Sequence, residues 1–425
     1  MRIAYLCADR GIPVAGNKGA SIHVRSVAQA LAQRGHDVTV AALRVDGESP
    51  SDYLPGTVEI PYDRTYKALR RSIDGDGQSV LSSEIYSLLL NSASHEGLAG
   101  LEQDGGVDAV YERYSLWSVA GIRFARLRRI PYLLEVNAPL VHEQQLYREL
   151  RLSDAAEGIE RFLFSEADAI FVPSTELAEY ISRKVGKRRR LYVTPNGVDL
   201  DRFAPPSPLA DPAARAPKER FRIVFLGSLK PWHGIGVLLD AFEQLRTELP
   251  GAELLVLGHG PLRDKVEEFA SRLGPEAVNV TGEVPHQQIP KWLREADVGV
   301  APYPEIEEFY FSPLKVIEYM AAGLPVVASS IGQLRHLVCD EHTGLLVTPG
   351  DPESLAAALR RLAEDRKLRA RLGRRARERA ISKHGWDKVA GRIDEVLQQL
   401  AAKSDRQRHR VTPASDRWIS AGGVL

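Results

Sequence analysis

Short β-branched runs alternate with longer helical patterns from the first residue of this chain onward, and after one proline- and alanine-rich interruption the alternation starts again. That pattern calls for parallel sheets with helices on their faces. Arg2 to Ala8 opens as a buried strand, the stretch Gly11 to Gly19 leads into a helix from about Ser21 to Gln33, and Asp37 to Leu43 supplies the next strand. In that helix Ile22, Val27, Ala30 and Leu31 recur at helical spacing, Ser21 is placed to cap it, and Gly35-His36 ends it. Further strands are expected at Ala109 to Tyr111, Tyr132 to Val136, Ala169 to Val172 and Leu191 to Thr194. Pro205 to Pro217 reads as a linker. Beyond it strands are expected at Arg222 to Leu226, Ala252 to Leu257, Val278 to Thr281, Val298 to Ala301, Pro325 to Ala328 and Leu345 to Val347. Glu353 to Ser382 and Trp386 to Leu400 read as helices, and the polar segment from Ser404 to Leu425 as a poorly ordered tail.

The 425 residues exceed what one hydrophobic core serves, so two α/β domains joined near residue 210 are the economical reading. Lys and Arg together number 56, as do Asp and Glu, which removes the overall basic excess of a nucleic-acid coat and leaves no nucleic-acid partner expected. Cys7 and Cys339, far apart, offer neither a disulfide framework nor a cysteine zinc site, and they fit a reducing cytoplasm. The apolar run Ile3 to Ala8 is too short for a signal-peptide core, and no later stretch approaches the ~20 apolar residues of a spanning helix. The expectation is a cytoplasmic protein, at most peripheral to a membrane.

The most informative stretch is FYFSPLKVIEYMAAGLPVVAS, from Phe309 to Ser329. Ser312-Pro313 starts a helix, Val316, Ile317, Met320 and Ala321 point to a core, and Gly323 stops it before a strand. A helix entered from a loop leaves free N–H groups on Ser312, Leu314 and Lys315, which suit a phosphate. Glu318, about one turn further on, can accept hydrogen bonds from two vicinal hydroxyls such as those of a ribose. Taken alone, the stretch is equally a capped helix with a surface glutamate. Gly16 and Gly19 likewise bracket a loop that either approaches a phosphate or makes an ordinary turn.

The stretch SPLKVIEYMAAGLPVVAS resembles the donor-binding signature of retaining GT-B glycosyltransferases of family 4, and the resemblance extends along almost the whole ordered chain. It takes in KGASIHV, GHDVTV, VTPNGVDLDRF, FLGSLKPWHG, LLVLGHGPLR, VTGEVPHQQIPKWLREADVGVAPY and TGLLVTPGDPESLA, in that order. It implies an α/β fold of the GT-B type, two Rossmann-like domains facing a central cleft. The first, 1–205, would be the acceptor side and the second, 206–385, the nucleotide-sugar side; 386–403 would be a helix returning to the first domain, and 404–425 a tail.

The resemblance also assigns residues. Family members carry two glutamates eight positions apart; the second matches Glu318 as the ribose contact, while the first falls on Tyr310. A phenol there favours a donor sugar with fewer or differently placed hydroxyl contacts, and Glu308 is either a nearby substitute or a loop glutamate facing water. Ser312, Pro313, Leu314 and Lys315 form the donor-binding helix entry. In the diphosphate loop Gly227 to Gly234 the family's arginine and lysine positions hold Ser228 and His233, so either Lys230 supplies the fixed charge and His233 donates to a phosphate oxygen, or Lys230 is solvated and His233 is satisfied locally. Val284 marks the loop whose backbone reads the nucleobase, and Gly19 and Ala20 the first-domain glycine loop. Asn137 stands where relatives have a sugar-facing histidine, and Arg113 either meets an anionic acceptor or serves a salt bridge.

The implied reaction is front-face transfer with retention from a nucleoside diphosphate sugar to an unidentified small-molecule, lipid or glycan acceptor. No DxD-like motif stands in a suitable loop, so neither a metal nor another cofactor is expected. A nucleotide-sugar 2-epimerase and a noncatalytic sugar-nucleotide-binding protein are the alternatives. Arg183, Lys184, Lys187, Arg188, Arg189 and Arg190 form a basic cluster that either touches anionic lipid or glycan or is a solvated edge, and the run from Arg369 to Arg379 reads as a helix face.

Overall fold

The computed structural model describes residues 1–47, 53–62, 64–74, 79–205, 220–307 and 309–411. Most of the expected linker and the end of the expected tail, 206–219 and 412–425, lie outside the described residues, as does Glu308.

The chain divides into two compact units, one of Met1–Val172, Ala178–Val193 and the chain from Ala390, the other of Pro173–Leu177 and Thr194–Val389. The first contains a parallel sheet of seven described strands: β1 (Arg2–Cys7), β2 (Asp37–Ala42), β3 (Gly56–Glu59), β4 (Ala109–Arg113), β5 (Tyr132–Glu135), β6 (Ala169–Val172) and β7 (Leu191–Val193). Their order is β3-β2-β1-β4-β5-β6-β7, with Ile3 in register with Val38 on one side and Ala109 on the other. The second unit holds six described strands, β8 (Phe221–Leu226), β9 (Ala252–Leu257), β10 (Val278–Gly282), β11 (Val298–Ala301), β12 (Val326–Ser329) and β13 (Gly344–Val347), ordered β10-β9-β8-β11-β12-β13 and again all parallel. Both are doubly wound Rossmann-like sheets whose strand order reverses once, between β1 and β4 and between β8 and β11. Loops leaving the carboxyl ends of those strands border the crevice in which such sheets bind ligands.

The apolar runs that mark the strands follow from burial on both faces. In β8 and β9 the side chains of Phe221, Ile223, Phe225, Leu254 and Val256 enter one core, while Val224, Leu255 and Leu257 enter the opposite one with Ile317, Met320 and Val326. Val198 and Phe203 join this second core, so residues 194–205, assigned from sequence to the first domain, pack with the second unit.

Several local expectations change. The first helix is Gly19–Gln33, with Lys18 at its N-cap, so Ser21 lies buried inside the first turn and caps nothing. Strand β3 was not expected: its side chains are mostly exposed, and an edge strand without a buried face leaves no apolar alternation to read. Glu353 to Ser382 is two helices, Pro352–Glu364 and Arg366–Lys383, each started by an aspartate whose carboxylate accepts backbone N–H groups: Asp351 from Glu353 and Ser354, and Asp365 from Leu368. The last helix, Trp386–Val411, runs past the expected tail start at Ser404, in keeping with the lack of glycine or proline between Ser404 and Pro413. In the first unit Asp394 of this helix accepts from Arg34 at 3.1 Å and meets His36 Nε2 at 3.1 Å, and Arg392 lies 4.7 Å over the Tyr192 ring.

Both basic runs include residues with structural partners. Lys184 pairs at 2.7 Å with the fully buried Glu160, and Arg188 donates to the carbonyls of Ser165 and Ala167. Arg377 donates to the carbonyls of Ala321 and Leu200, and Arg379 to those of Leu337 and His336.

Candidate functional site

In the second unit the helix Leu314–Ala321 is fixed to the sheet at the strand-order reversal. Leu226, the last residue of β8, donates its backbone N–H to Tyr319 Oη at 2.7 Å. The Tyr319 ring lies against Gly299 of β11, where a Cβ would stand 2.4 Å from it. The helix entry is held as firmly. Ser174 Oγ donates to the Tyr310 carbonyl at 2.9 Å, and Asn196 Nδ2 donates to the Ser312 carbonyl at 2.7 Å. Pro313 is the N-cap rather than a residue of the first turn.

Beside this helix runs the loop from Gly227 to Gly234, folded around the short 3-10 turn Pro231–His233. Gly234 has φ +74°, and a Cβ there would come within 1.6 Å of the Pro302 carbonyl oxygen, so the loop closes tightly onto the chain after β11. The loop meets the helix entry at Lys315: a Cβ at Gly227 would stand 3.0 Å from Lys315 Nζ, and His233 feels the Lys315 charge. Lys230 Nζ lies 4.8 Å over the half-exposed Trp232 ring.

His233 Nδ1 is 2.6 Å from the Ser228 carbonyl oxygen and 3.3 Å from Ser228 Oγ. A carbonyl only accepts, so Nδ1 carries the proton and Nε2 of the neutral ring is an acceptor. Burial, then the charges of Lys315 and Lys230, push the imidazole down to about 3, against the hydrogen bond to Ser228. His233 in this state therefore does not donate to a phosphate oxygen as the sequence suggested; it needs a second proton first.

One carboxylate and one amine on the helix are buried with different outcomes. Glu318, 5% exposed, meets His286 Nε2 at 2.7 Å through Oε1, and the His286 ring in turn lies 5.6 Å from Phe203. Lys315, 7% exposed, has no hydrogen-bond partner for Nζ, which lies 4.3 Å over the Phe225 ring and 5.4 Å from the Tyr303 ring centre. Burial draws its amine down to about 7, opposed by the Glu318 charge. Ser312 Oγ is also buried without a partner. Together with the amides of the first helical turn, these groups can receive an anion at one end and a pair of hydroxyls at Glu318.

Val284 packs its side chain on the core with Ile289 and Leu293, leaving backbone for any base contact. Tyr310 is buried, its ring 4.4 Å from that of Phe311. His286, Asn196 and the Lys315 side chain were not singled out from the sequence. Each acts across elements far apart in the chain, and a Pro-His dipeptide in a loop gives no sign of the carboxylate it meets.

In the first unit, Gly19 and Ala20 begin the helix Gly19–Gln33 after a loop tied by Arg25, which donates to the carbonyls of Val14 and Gly16. The following turn carries His23, which pairs with buried Glu135 at the end of β5; Tyr5 Oη donates to the same carboxylate at 2.8 Å and Arg113 Nη1 stands 3.8 Å from it. Burial works against the Glu135 charge, but His23, Arg113 and Tyr5 hold it at about 2. Arg113 makes this salt bridge, and its buried Nη1 has no hydrogen-bond partner. Asn137, just beyond β5, has a buried Nδ2 without a partner. An open cavity of about 670 Å³ adjoins the ends of β1 and β4, with Asp9, Arg10, Ser87, Asn91, Trp117 and Arg148 in its lining. Among the described residues no three His, Cys, Asp or Glu side chains converge as metal ligands would.

Residues 17–202 match the family described as Glycosyltransferase Family 4, and residues 220–365 the one described as Glycosyl transferases group 1. The D-inositol 3-phosphate glycosyltransferase of Streptomyces scabiei is 30% identical over 416 residues, covering 92% of this chain and 88% of its own. Sucrose-phosphate synthase from Thermosynechococcus elongatus superposes with a TM-score of 0.70 at 24% identity, covering 95% of this chain and 99% of its own. Anabaena HepE, solved in complex with UDP and glucose, superposes with a TM-score of 0.67 at 20% identity, covering 94% and 100%. The architecture is that of GT-B glycosyltransferases.

Proposed function

Because this chain belongs to glycosyltransferase family 4 and is a glycosyltransferase, we propose that it moves a sugar from a nucleoside diphosphate sugar to a hydroxyl acceptor with retention of anomeric configuration. The observation that carries this reading is the helix Leu314–Ala321: unpartnered Ser312 Oγ and Lys315 Nζ at its entry, and Glu318 one turn on. That spacing suits a diphosphate and the ribose attached to it. UDP in the HepE structure supports a uridine nucleotide as the first donor to try.

In the front-face step the bond from the anomeric carbon to the diphosphate oxygen breaks and its electron pair stays on that oxygen. The acceptor oxygen bonds to the anomeric carbon on the same face, and its proton passes to the departing diphosphate. The protein stabilises the charge gathered on the leaving group with Lys230 and helix-entry amides, and holds both substrates in place. His233 offers Nε2 as an acceptor until it is protonated. Asn137 would hold a sugar hydroxyl, and the cavity beside β1 and β4 would take a polar acceptor. No divalent ion enters this scheme, and activity retained in EDTA would support that part. The unpaired Cys7 and Cys339 support a reducing, cytoplasmic setting; among the described residues no helix is long and apolar enough to cross a membrane.

The test is a thermal-shift screen of sugar nucleotides on the purified chain, followed by mass spectrometry of products with candidate acceptors. Transfer that needs an acceptor is expected. Donor conversion without any acceptor would instead identify an epimerase, and binding without transfer a noncatalytic protein.

A further inference from the structure

Lys315 Nζ is buried, has no hydrogen-bond partner, and stands where a Cβ at Gly227 would lie only 3.0 Å from it. It therefore sits at the seam between the helix entry and the loop Gly227 to Gly234, the place a diphosphate would occupy. Two aromatic rings flank it, Phe225 at 4.3 Å and Tyr303 at 5.4 Å from their centres. Such faces tolerate a cation but give it no hydrogen-bond acceptor. A buried amine left in this state is costly unless a partner arrives. The loop's own cation, Lys230, lies on the half-exposed Trp232 ring, where solvent screens it.

We infer that the Lys315 side chain, reaching the loop from the first helical turn, is the fixed cation that receives the leaving diphosphate of the donor. The inference rests on the donor reading above and adds to it the group that carries the charge. During transfer the anomeric C–O bond breaks with its electron pair on the diphosphate oxygen and the acceptor's proton goes to the departing diphosphate. Lys315 stays protonated throughout and donates an N–H to the oxygens gaining charge.

The titratable groups around Lys315 set a signature. Glu318 on its own helix favours the charged amine; His233, itself within reach of the Lys230 charge, faces it from the loop, and the phenols of Tyr303 and Tyr319 are kept protonated by burial. In the free protein burial holds the Lys315 amine at about 7, so at pH 8 it is mostly neutral. An arriving diphosphate restores the charge, and a proton must be taken from solvent.

Isothermal titration of the full chain at pH 8 with UDP, GDP and ADP, and with the matching nucleosides, in two buffers of different protonation enthalpy, tests this. The diphosphate that binds should bring in about one proton, while its nucleoside brings in none. Lys315→Met should abolish the uptake and weaken the diphosphate about tenfold or more, with nucleoside affinity kept within about twofold. Methionine suits the apolar surroundings, so this variant should melt no lower than the wild type at pH 7. His233→Gln should retain the uptake. Uptake persisting in Lys315→Met, or equal weakening of nucleoside and diphosphate, would overturn the inference. Diphosphate binding by the wild type without uptake would overturn it too and leave the donor reading intact, whereas failure to bind any of the three diphosphates would overturn the donor reading itself.

Discussion

His286 Nε2 lies 2.7 Å from Glu318 Oε1, joining the turn after β10 to the helix that precedes β12. The carboxylate is thereby oriented before any sugar arrives, with Oε2 left for a hydroxyl. A side chain held in place loses less freedom on binding.

Glu318→Ala removes the proposed ribose acceptor. Charge-assisted hydrogen bonds contribute about 1.5–3 kcal/mol, so affinity for a nucleoside diphosphate should fall tenfold or more. Nucleoside and nucleoside diphosphate should weaken together, because the lost contact lies on the part they share. Calorimetry on a variant with unchanged circular dichroism checks this; unaltered affinity would remove Glu318 from the site.

His286→Ala leaves the carboxylate in place but unsteadied. The contact serves bound donor and transition state alike, so KM for the donor should rise roughly three- to tenfold with kcat little changed. A fall in kcat with KM constant would point to a part in the chemistry that this geometry does not give it.

The strands were legible because most are buried on both faces: β9 is Ala252–Leu257 in both the sequence reading and the structure. β3, with its exposed side chains, gave no such signal. The place of Glu318 one turn inside a helix could be read from the sequence. Lys315 could not be assigned its side-chain role in the same way, since local periodicity marks a polar residue in a first turn and says nothing of the strand end that covers it. The His233 tautomer was equally hidden, being set by a carbonyl within its own loop rather than by residue type.

Lys230, lying on an exposed indole, should contribute a smaller and more salt-sensitive part of the leaving-group charge than Lys315. Lys230→Ala is expected to lower kcat severalfold at low ionic strength, with the deficit shrinking at about 0.5 M salt as screening weakens the wild-type contact. A deficit that does not respond to salt would mean that Lys230 is sequestered from solvent when the donor is bound.

Gly234 combines φ +74° with a space that a Cβ would fill to within 1.6 Å of the Pro302 carbonyl oxygen. Backbone cannot swing aside as a side-chain tip can. Gly234→Ala should cost about 2 kcal/mol or more and disrupt the diphosphate loop, lowering the urea midpoint and the donor affinity together. A stable variant with normal binding would show that the loop rearranges freely.

Lys315 also predicts how stability depends on pH. Its amine is at about 7 in the folded protein against 10.5 for an unperturbed lysine. Below the lower value both folded and unfolded states carry the proton, and the cost of burying the charge is felt in full. Between the two values the unfolded state binds more protons, so this residue's contribution makes folding more favourable as pH rises, by up to ~1.4 kcal/mol per pH unit. Above the upper value both states are neutral and the cost has gone. Lys315→Met lacks this titration, so its stability advantage over the wild type should be largest near pH 7 and shrink steadily toward pH 10. Urea unfolding of the two proteins without nucleotide at pH 7, 8.5 and 10 measures the difference directly. A constant difference across that range would mean that Lys315 stays charged and paired in the free protein, and that the site holds a compensating anion of its own.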